Sequence, residues 1–390
     1  MRIPQRVLDI ELPPFDPLNL RAAELRAQGR DVISLGQALP YFPPPPSVAR
    51  AAQDALSSPH VHFYSTDPGR PSLRRALAER LQQETGAACE AENLVITAGA
   101  NHAFATALTT LVNPGDDVVL PAPYFTNHFM QVQASGAVAI EAPLADQASY
   151  LVTWDDVARA LTPRTRAVVF CTPSNPTGAT ITRANGDRIV NELSSRGIWV
   201  ISDETYMHFV YGGAHWSAAS VSDWHRNVVV IGTFSKSFAM MGWRVGFMLA
   251  DREICEQATK IQDAMIICAP TISQIAAEAA VTTDWDYARG FHAEFTRRRR
   301  RVAETVGEMP GLEWTPTDGG FFAFVRVRGC TDSTALATHL LEEANVVTIP
   351  GAAFGRSGEG RLRLSYGSVN EGDLEKALER LAAYFAHSRG

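Results

Sequence analysis

Short apolar runs rich in β-branched residues recur at 94–97, 118–120, 137–140, 167–171, 199–202 and 227–231, separated by turns or by stretches with helical apolar spacing. This alternation is the tightest constraint on what the chain can fold into. A run so short and so uniformly apolar has no face to give to water, so each reads as a strand covered on both sides, with the intervening helices as the cover. Strand and helix in strict alternation build a mostly parallel sheet in an α/β fold. A seventh run, 245–250, follows the sixth too closely for a helical crossover and is expected to be antiparallel.

The flanks read differently. Residues 1–46 are punctuated by proline, with a helix expected over 19–29, an extended run at 31–36 and four prolines at 43–46. Ser47 is expected to cap the first regular helix. Beyond 253–281, helical in spacing and interrupted at Pro270, a long helix is expected over 287–308. Strands then follow at 320–327, 346–349 and 361–366, with helices at 334–343 and 371–386. The arm is too short to bury a core alone. We therefore expect a large domain over 47–285 and a smaller α+β domain made from 1–46 together with 286–390. The basic run 297–301 lies among apolar residues at helical spacing and reads as the solvated face of a helix.

Charge and cysteine usage remove several functions. A net charge of −7 gives no general attraction to nucleic acid or anionic lipid. No run approaches the length of a bilayer span, and the N-terminus has no charged segment leading into an apolar one. The five cysteines are scattered without C-x-x-C spacing, which suits a reducing compartment. His60 and His62 lack a carboxylate or thiol at ligand spacing, so no metal is expected. A cytoplasmic enzyme is the expectation.

Open α/β sheets bind ligands at the carboxyl ends of their strands, and four features fall there. Gly99-Ala100-Asn101 opens a helix, where small residues and free N–H groups favour an anion such as phosphate. The loop 171–178, Cys-Thr-Pro-Ser-Asn-Pro-Thr-Gly, holds Asn175 between two prolines. Asp203 ends an apolar run and needs a cationic or donor partner if buried; Tyr206 follows it closely. Last comes 233–246, Thr-Phe-Ser-Lys-Ser-Phe-Ala-Met-Met-Gly-Trp-Arg-Val-Gly, which offers the hydroxyls of Thr233 and Ser235, the amine of Lys236 and the guanidinium of Arg244. Burial would strip water from the Lys236 ammonium and make it a nucleophile. A phosphate pocket, a carboxylate for a pyridinium, donors for a phenolate and an amine for a carbonyl together describe one common cofactor, pyridoxal 5′-phosphate.

These motifs, in this order and spacing, resemble those of the class I aminotransferases of the aspartate aminotransferase superfamily. The resemblance runs nearly end to end. Residues 98–101, 123–128, 240–244, 260–263 and 267–268 look most like the branch holding the plant-type methionine and aromatic aminotransferases. The resemblance implies fold type I, a mostly parallel seven-stranded sheet in the large domain, and a homodimer with shared active sites. It implies that Lys236 carries the cofactor and shuttles a proton, that Asp203 pairs with the ring nitrogen, and that Asn175 and Tyr206 hydrogen-bond the phenolic oxygen. Tyr124 would stack on the cofactor. Gly99, Ala100, Asn101, Thr233, Ser235 and Arg244 would hold the phosphate, joined by Tyr64 from the neighbouring subunit. Arg363 would pair with the substrate carboxylate, with Asn175 and Gly36 beside it.

Two positions depart from the family pattern. Ala38 stands where a second glycine is usual, and Asn101 where many relatives carry lysine or a hydroxyl. The expected reaction moves an amino group between an α-amino acid and a 2-oxo acid. Tyr41, Phe42, Tyr124 and Phe125 suggest an aromatic or methionine-like substrate, with aspartate or glutamate as partner. The same cofactor site could instead serve elimination, decarboxylation, cyclisation or oxidation. A regulator that merely binds the cofactor would need a DNA-binding appendage, for which 1–46 is too short and too rich in proline.

Overall fold

The computed structural model describes residues 3–10 and 12–387. The seven apolar runs form one sheet, in the order Leu94–Thr97, Gly246–Leu249, Val228–Thr233, Trp199–Asp203, Thr165–Cys171, Asp117–Ala122, Val138–Pro143. Neighbours are parallel except at Gly246–Leu249, which is antiparallel to both strands beside it, as its short connection requires.

Side chains alternate across the sheet with the two-residue period of a strand. Leu94, Ile96, Val228 and Val230 enter one core with Leu73, Leu77, Ile189, Leu193 and Ala276. Val95, Val229 and Ile231 enter the other with Phe104, Leu108 and Ala258. Helices Pro71–Thr85, Arg183–Ser194 and Thr271–Thr283 thus cover one face, and Ala100–Leu111 and Arg252–Ile266 the other. Register pairs Cys171 with Asp203, and Thr97 and Thr233 each with Gly246. The carboxyl ends of four strands therefore share one edge.

A second apolar core gathers both chain ends: Leu18, Leu25 and Leu35 pack with Val302, Phe322, Leu340 and Leu378. Its antiparallel sheet runs Ile349–Pro350, Arg361–Ser365, Phe322–Val327, Leu312–Glu313. Ile33–Ser34 pairs parallel with Val346–Val347, and Arg30 Nε donates to Asn345 Oδ1 at 2.7 Å. These bonds tie the N-terminal arm to the C-terminal segment.

Several boundaries differ from expectation. The first long helix spans Phe15–Ala27, because Pro17 falls in its first turn, where the missing N–H costs nothing. Helix Pro46–Ala55 starts on a proline with no side-chain cap; Ser47 instead hydrogen-bonds Asp284. The long helix is divided into a 3-10 turn, Tyr287–Phe291, and an α-helix, His292–Glu308. The basic run is not wholly a solvated face. Arg298 is buried, with its guanidinium 4.1 Å from the Tyr41 ring centre and Nη1 donating to the Tyr366 carbonyl at 3.1 Å. Among the described residues no helix is long and apolar enough to cross a membrane.

Candidate active site

A cavity of about 400 Å³ opens at the shared strand edge, between the large sheet and the unit built from the chain ends. Lys236 lies on its wall in a single helical turn, Phe234–Ser237, directly after strand Val228–Thr233. Its Nζ donates to the Ala38 carbonyl at 2.8 Å, so the arm closes over the lysine at the position that departs from the family pattern. Burial, reinforced by the guanidinium groups of Arg363 and Arg244, pushes the ammonium pKa down to about 8.

Asp203 ends its strand and is 4% exposed. Burial alone would raise its pKa. Hydrogen bonds from His128 Nε2 (3.0 Å) and the Thr205 N–H (3.0 Å), with the His128 charge, more than offset that and hold the carboxyl below its usual range. His128 is placed by helix Thr126–Ser135 and wedged against Phe104. Its link to Asp203 is invisible in sequence, because 75 residues separate the two.

Asn175 and Arg363 meet at the other side, Nη1 donating to Oδ1 at 2.7 Å, while Arg363 Nη2 donates to the Gly36 carbonyl. Arg363 is buried against the rings of Phe354, Phe322 and Phe15, and burial lowers its pKa to about 10. Its Nε has no hydrogen-bond partner among the described residues. Tyr206 is buried among Phe209, Phe321 and Phe322, and burial pushes its phenol well up.

At the third corner, Gly99 (φ +88°) precedes helix Ala100–Leu111, whose first turn has no side-chain cap. Arg244, itself at φ +51°, lays its guanidinium over this turn: Nη2 donates to the Ala98 carbonyl at 3.2 Å and Nη1 to the Met241 carbonyl at 2.9 Å. A Cβ on Gly99 would run into that guanidinium. The hydroxyls of Thr233 and Ser235 stand 3.0 Å apart on the same wall, with Ala100 and Asn101 beside them.

Not every expected residue reaches the cavity. Tyr124 stacks on Phe129 (5.3 Å, 3°) and faces a neighbouring crevice, while Phe125 lines the cavity in its place. The extended backbone at Phe125, just before helix Thr126–Ser135, sends the two adjacent rings in different directions. Tyr41 and Phe42 are also elsewhere, packed with Phe291 and Phe295, with Phe42 stacked on Phe291 at 4.1 Å. Of the expected aromatic lining, only Phe125 is present. Tyr64 is 75% exposed and does not line the cavity of its own chain. Phe15, Asp16, Asn19, Cys171, Thr205 and Ile349 line it without having been expected. Phe15, Asp16 and Asn19 arrive by long-range packing of the arm, for which local pattern gives no signal.

The family model for "Aminotransferase class I and II" matches residues 30–381. An aspartate aminotransferase of Streptomyces avermitilis is 31% identical, covering 100% of this chain and 97% of that protein. Aromatic-amino-acid aminotransferase 2 of Thermococcus litoralis is 32% identical, covering 96% of this chain and 97% of that protein. The structure of the aspartate aminotransferase from Thermus thermophilus with maleate superposes with a TM-score of 0.91 at 30% identity, covering 98% of this chain and 100% of that one. With the family model matching most of the chain and relatives above 30% identity covered nearly end to end, the chain belongs to the class I and II aminotransferase family.

Proposed function

We propose that this aminotransferase works with pyridoxal 5′-phosphate held by the residues around Lys236. The observation that carries the reading is the convergence on that lysine of three prepared corners: the charged Asp203, the Asn175–Arg363 pair and the Arg244–Gly99 cradle. The fit is specific at each. A dianionic phosphate would match uncapped helix N–H groups under a guanidinium, a protonated ring nitrogen would match a buried carboxylate, and Lys236 would hold the cofactor's carbonyl carbon. Tyr206 and Asn175 would face the phenolic oxygen. When bound, the cofactor supplies an electron sink for the pair left at the substrate Cα.

The chain's own groups do the rest. Arg363 offers a fork for the substrate carboxylate, with the Gly36 carbonyl and Asn175 fixing its plane. Lys236 Nζ removes the Cα proton and returns it during amino transfer. A pKa of about 8 leaves about a tenth of the free amine neutral at pH 7, near the optimum for such work. Asp203, kept ionised by His128, holds its proton partner in place.

The large domain 47–285 and the small domain of 1–46 with 286–390 would close on the cavity from two sides. Phe63 and Tyr64 are exposed on a loop held by Thr271 Oγ1, and Met265 and Ile266 are exposed nearby in the chain. Such apolar surface favours a second copy, to whose phosphate site Tyr64 would reach. A cytoplasmic homodimer is the resulting form.

The test is direct. Purified cofactor-loaded protein mixed with an amino acid alone should convert stoichiometrically to the amine form of the cofactor, followed by absorbance. Release of ammonia or carbon dioxide without that form would overturn transamination. Lys236→Ala should lower turnover by at least ~10³-fold, and near-normal activity would remove the lysine from its role.

A further inference from the structure

Resting on the cofactor and carboxylate assignments just made, the charged side chains lining the cavity can be matched to partners one by one. Arg244 takes phosphate, Arg363 the substrate carboxylate, Asp203 the ring nitrogen, and Lys236 the cofactor itself. One charge is left over. Asp16 lines the cavity from the first turn of helix Phe15–Ala27, is exposed, and has no hydrogen-bond or ion-pair partner among the described residues. Phe15, its neighbour in the chain, lies 5.8 Å (ring centre) from the Arg363 guanidinium. The spare carboxylate and the carboxylate-binding Arg363 therefore line one cavity, linked by Phe15, the chain neighbour of the first and a ring contact of the second.

The surrounding lining sharpens the point. Asn19, Asn101 and Asn127, which also line the cavity, are neutral, so the described residues of one chain leave no cation for a second substrate carboxylate. A dicarboxylic donor would place its distal charge in a cavity where, among the described residues of one chain, the unpaired charge is negative. Phe15, Leu39 and Ile349 meanwhile give apolar surface for an alkyl stem. We propose that Asp16 selects amino donors that end in a second positive charge on an alkyl chain, the guanidinium or ammonium of an arginine- or lysine-class amino acid.

A carboxylate in the first turn also favours the helix dipole, so the test must separate recognition from helix stability. The cofactor-loaded, full-length enzyme is assayed with arginine, lysine, norleucine and glutamate against one 2-oxo acid, as wild type, Asp16→Asn and Asp16→Lys. In the wild type, kcat/KM for arginine or lysine should exceed that for glutamate about tenfold or more. Asp16→Asn should lower the arginine-to-norleucine ratio of kcat/KM by up to about fivefold, the upper range for a partly solvated ion pair. Asp16→Lys should move the preference toward glutamate. A second readout uses compounds that lack the reacting amine: calorimetry should give tighter binding of 5-guanidinopentanoate than of hexanoate, with the difference lost in Asp16→Asn.

An unchanged donor ranking across the three proteins would overturn the proposal, as would arginine and norleucine falling together or equal binding of the two carboxylates. If no donor forms the amine form of the cofactor in the wild type, transamination itself fails. The calorimetric comparison still decides the role of Asp16 in that case.

Discussion

Lys236 is held by opposing demands: its charge is disfavoured by burial and by two guanidinium groups, yet its Nζ still finds the Ala38 carbonyl. The consequence for stability has a definite sign. Its folded-state pKa, about 8, lies below the ordinary 10.5, so the folded chain binds fewer protons than the unfolded one between those limits and stability rises with pH across that window. Below pH 8 the full penalty, on the order of 3 kcal/mol, is present. Lys236→Met in the cofactor-free protein should therefore unfold at higher denaturant than the wild type at pH 7. That advantage should shrink as pH climbs from about 8 to 10.5; an advantage independent of pH would mean that the lysine is not buried as a cation. The placement of Lys236 and Asp203 at the carboxyl ends of strands was legible in the sequence, because it needs only a residue type following an apolar run. His128 was not, because its part depends on a contact with Asp203 that no local spacing encodes.

Among the elements, the turn into helix Ala100–Leu111 does the most with the fewest atoms. Gly99 is left-handed and lies against a guanidinium, so it can carry no side chain without moving Arg244. Gly99→Ala should lower the stability of the cofactor-free chain by about 1–3 kcal/mol, the cost of a strained residue. It should also weaken cofactor affinity about tenfold or more as the charged donor shifts; absorbance titration and denaturant unfolding read the two effects. Most strands were legible because a run buried on both faces must be uniformly apolar; the run at 137–140 differs, forming the edge strand Val138–Pro143 with Val138 exposed. Helix ends were less so. Pro17 and Pro46 sit inside helices because first-turn positions need no N–H, and Arg298 is buried in a run that looks solvated because the Tyr366 carbonyl and the Tyr41 ring receive it.

At the scale of the whole molecule, the proposed homodimer makes a prediction that no monomer can satisfy. Tyr64→Ala should weaken cofactor binding about tenfold or more, the value of a hydrogen bond to a charged group. Lys236→Ala should be inactive. Co-expressed with different tags and purified as hybrids, the two chains should regain about half the wild-type activity, because one site of each pair then has both an intact lysine and an intact tyrosine. If Tyr64 served its own chain, hybrids would have no intact site. Alternating apolar runs by themselves determined the parallel sheet, because covering both faces of a short strand leaves few arrangements, and they determined which strand ends could carry chemistry. Only the tertiary structure decided what surrounds that chemistry. Phe125 lines the cavity as expected while Tyr124 faces a neighbouring crevice, Tyr41 and Phe42 turn into a core with Phe291, and the arm brings Asp16 to the cavity. Those placements come from packing between segments far apart in the chain, where the partner of a side chain is set by the fold rather than by its neighbours in sequence.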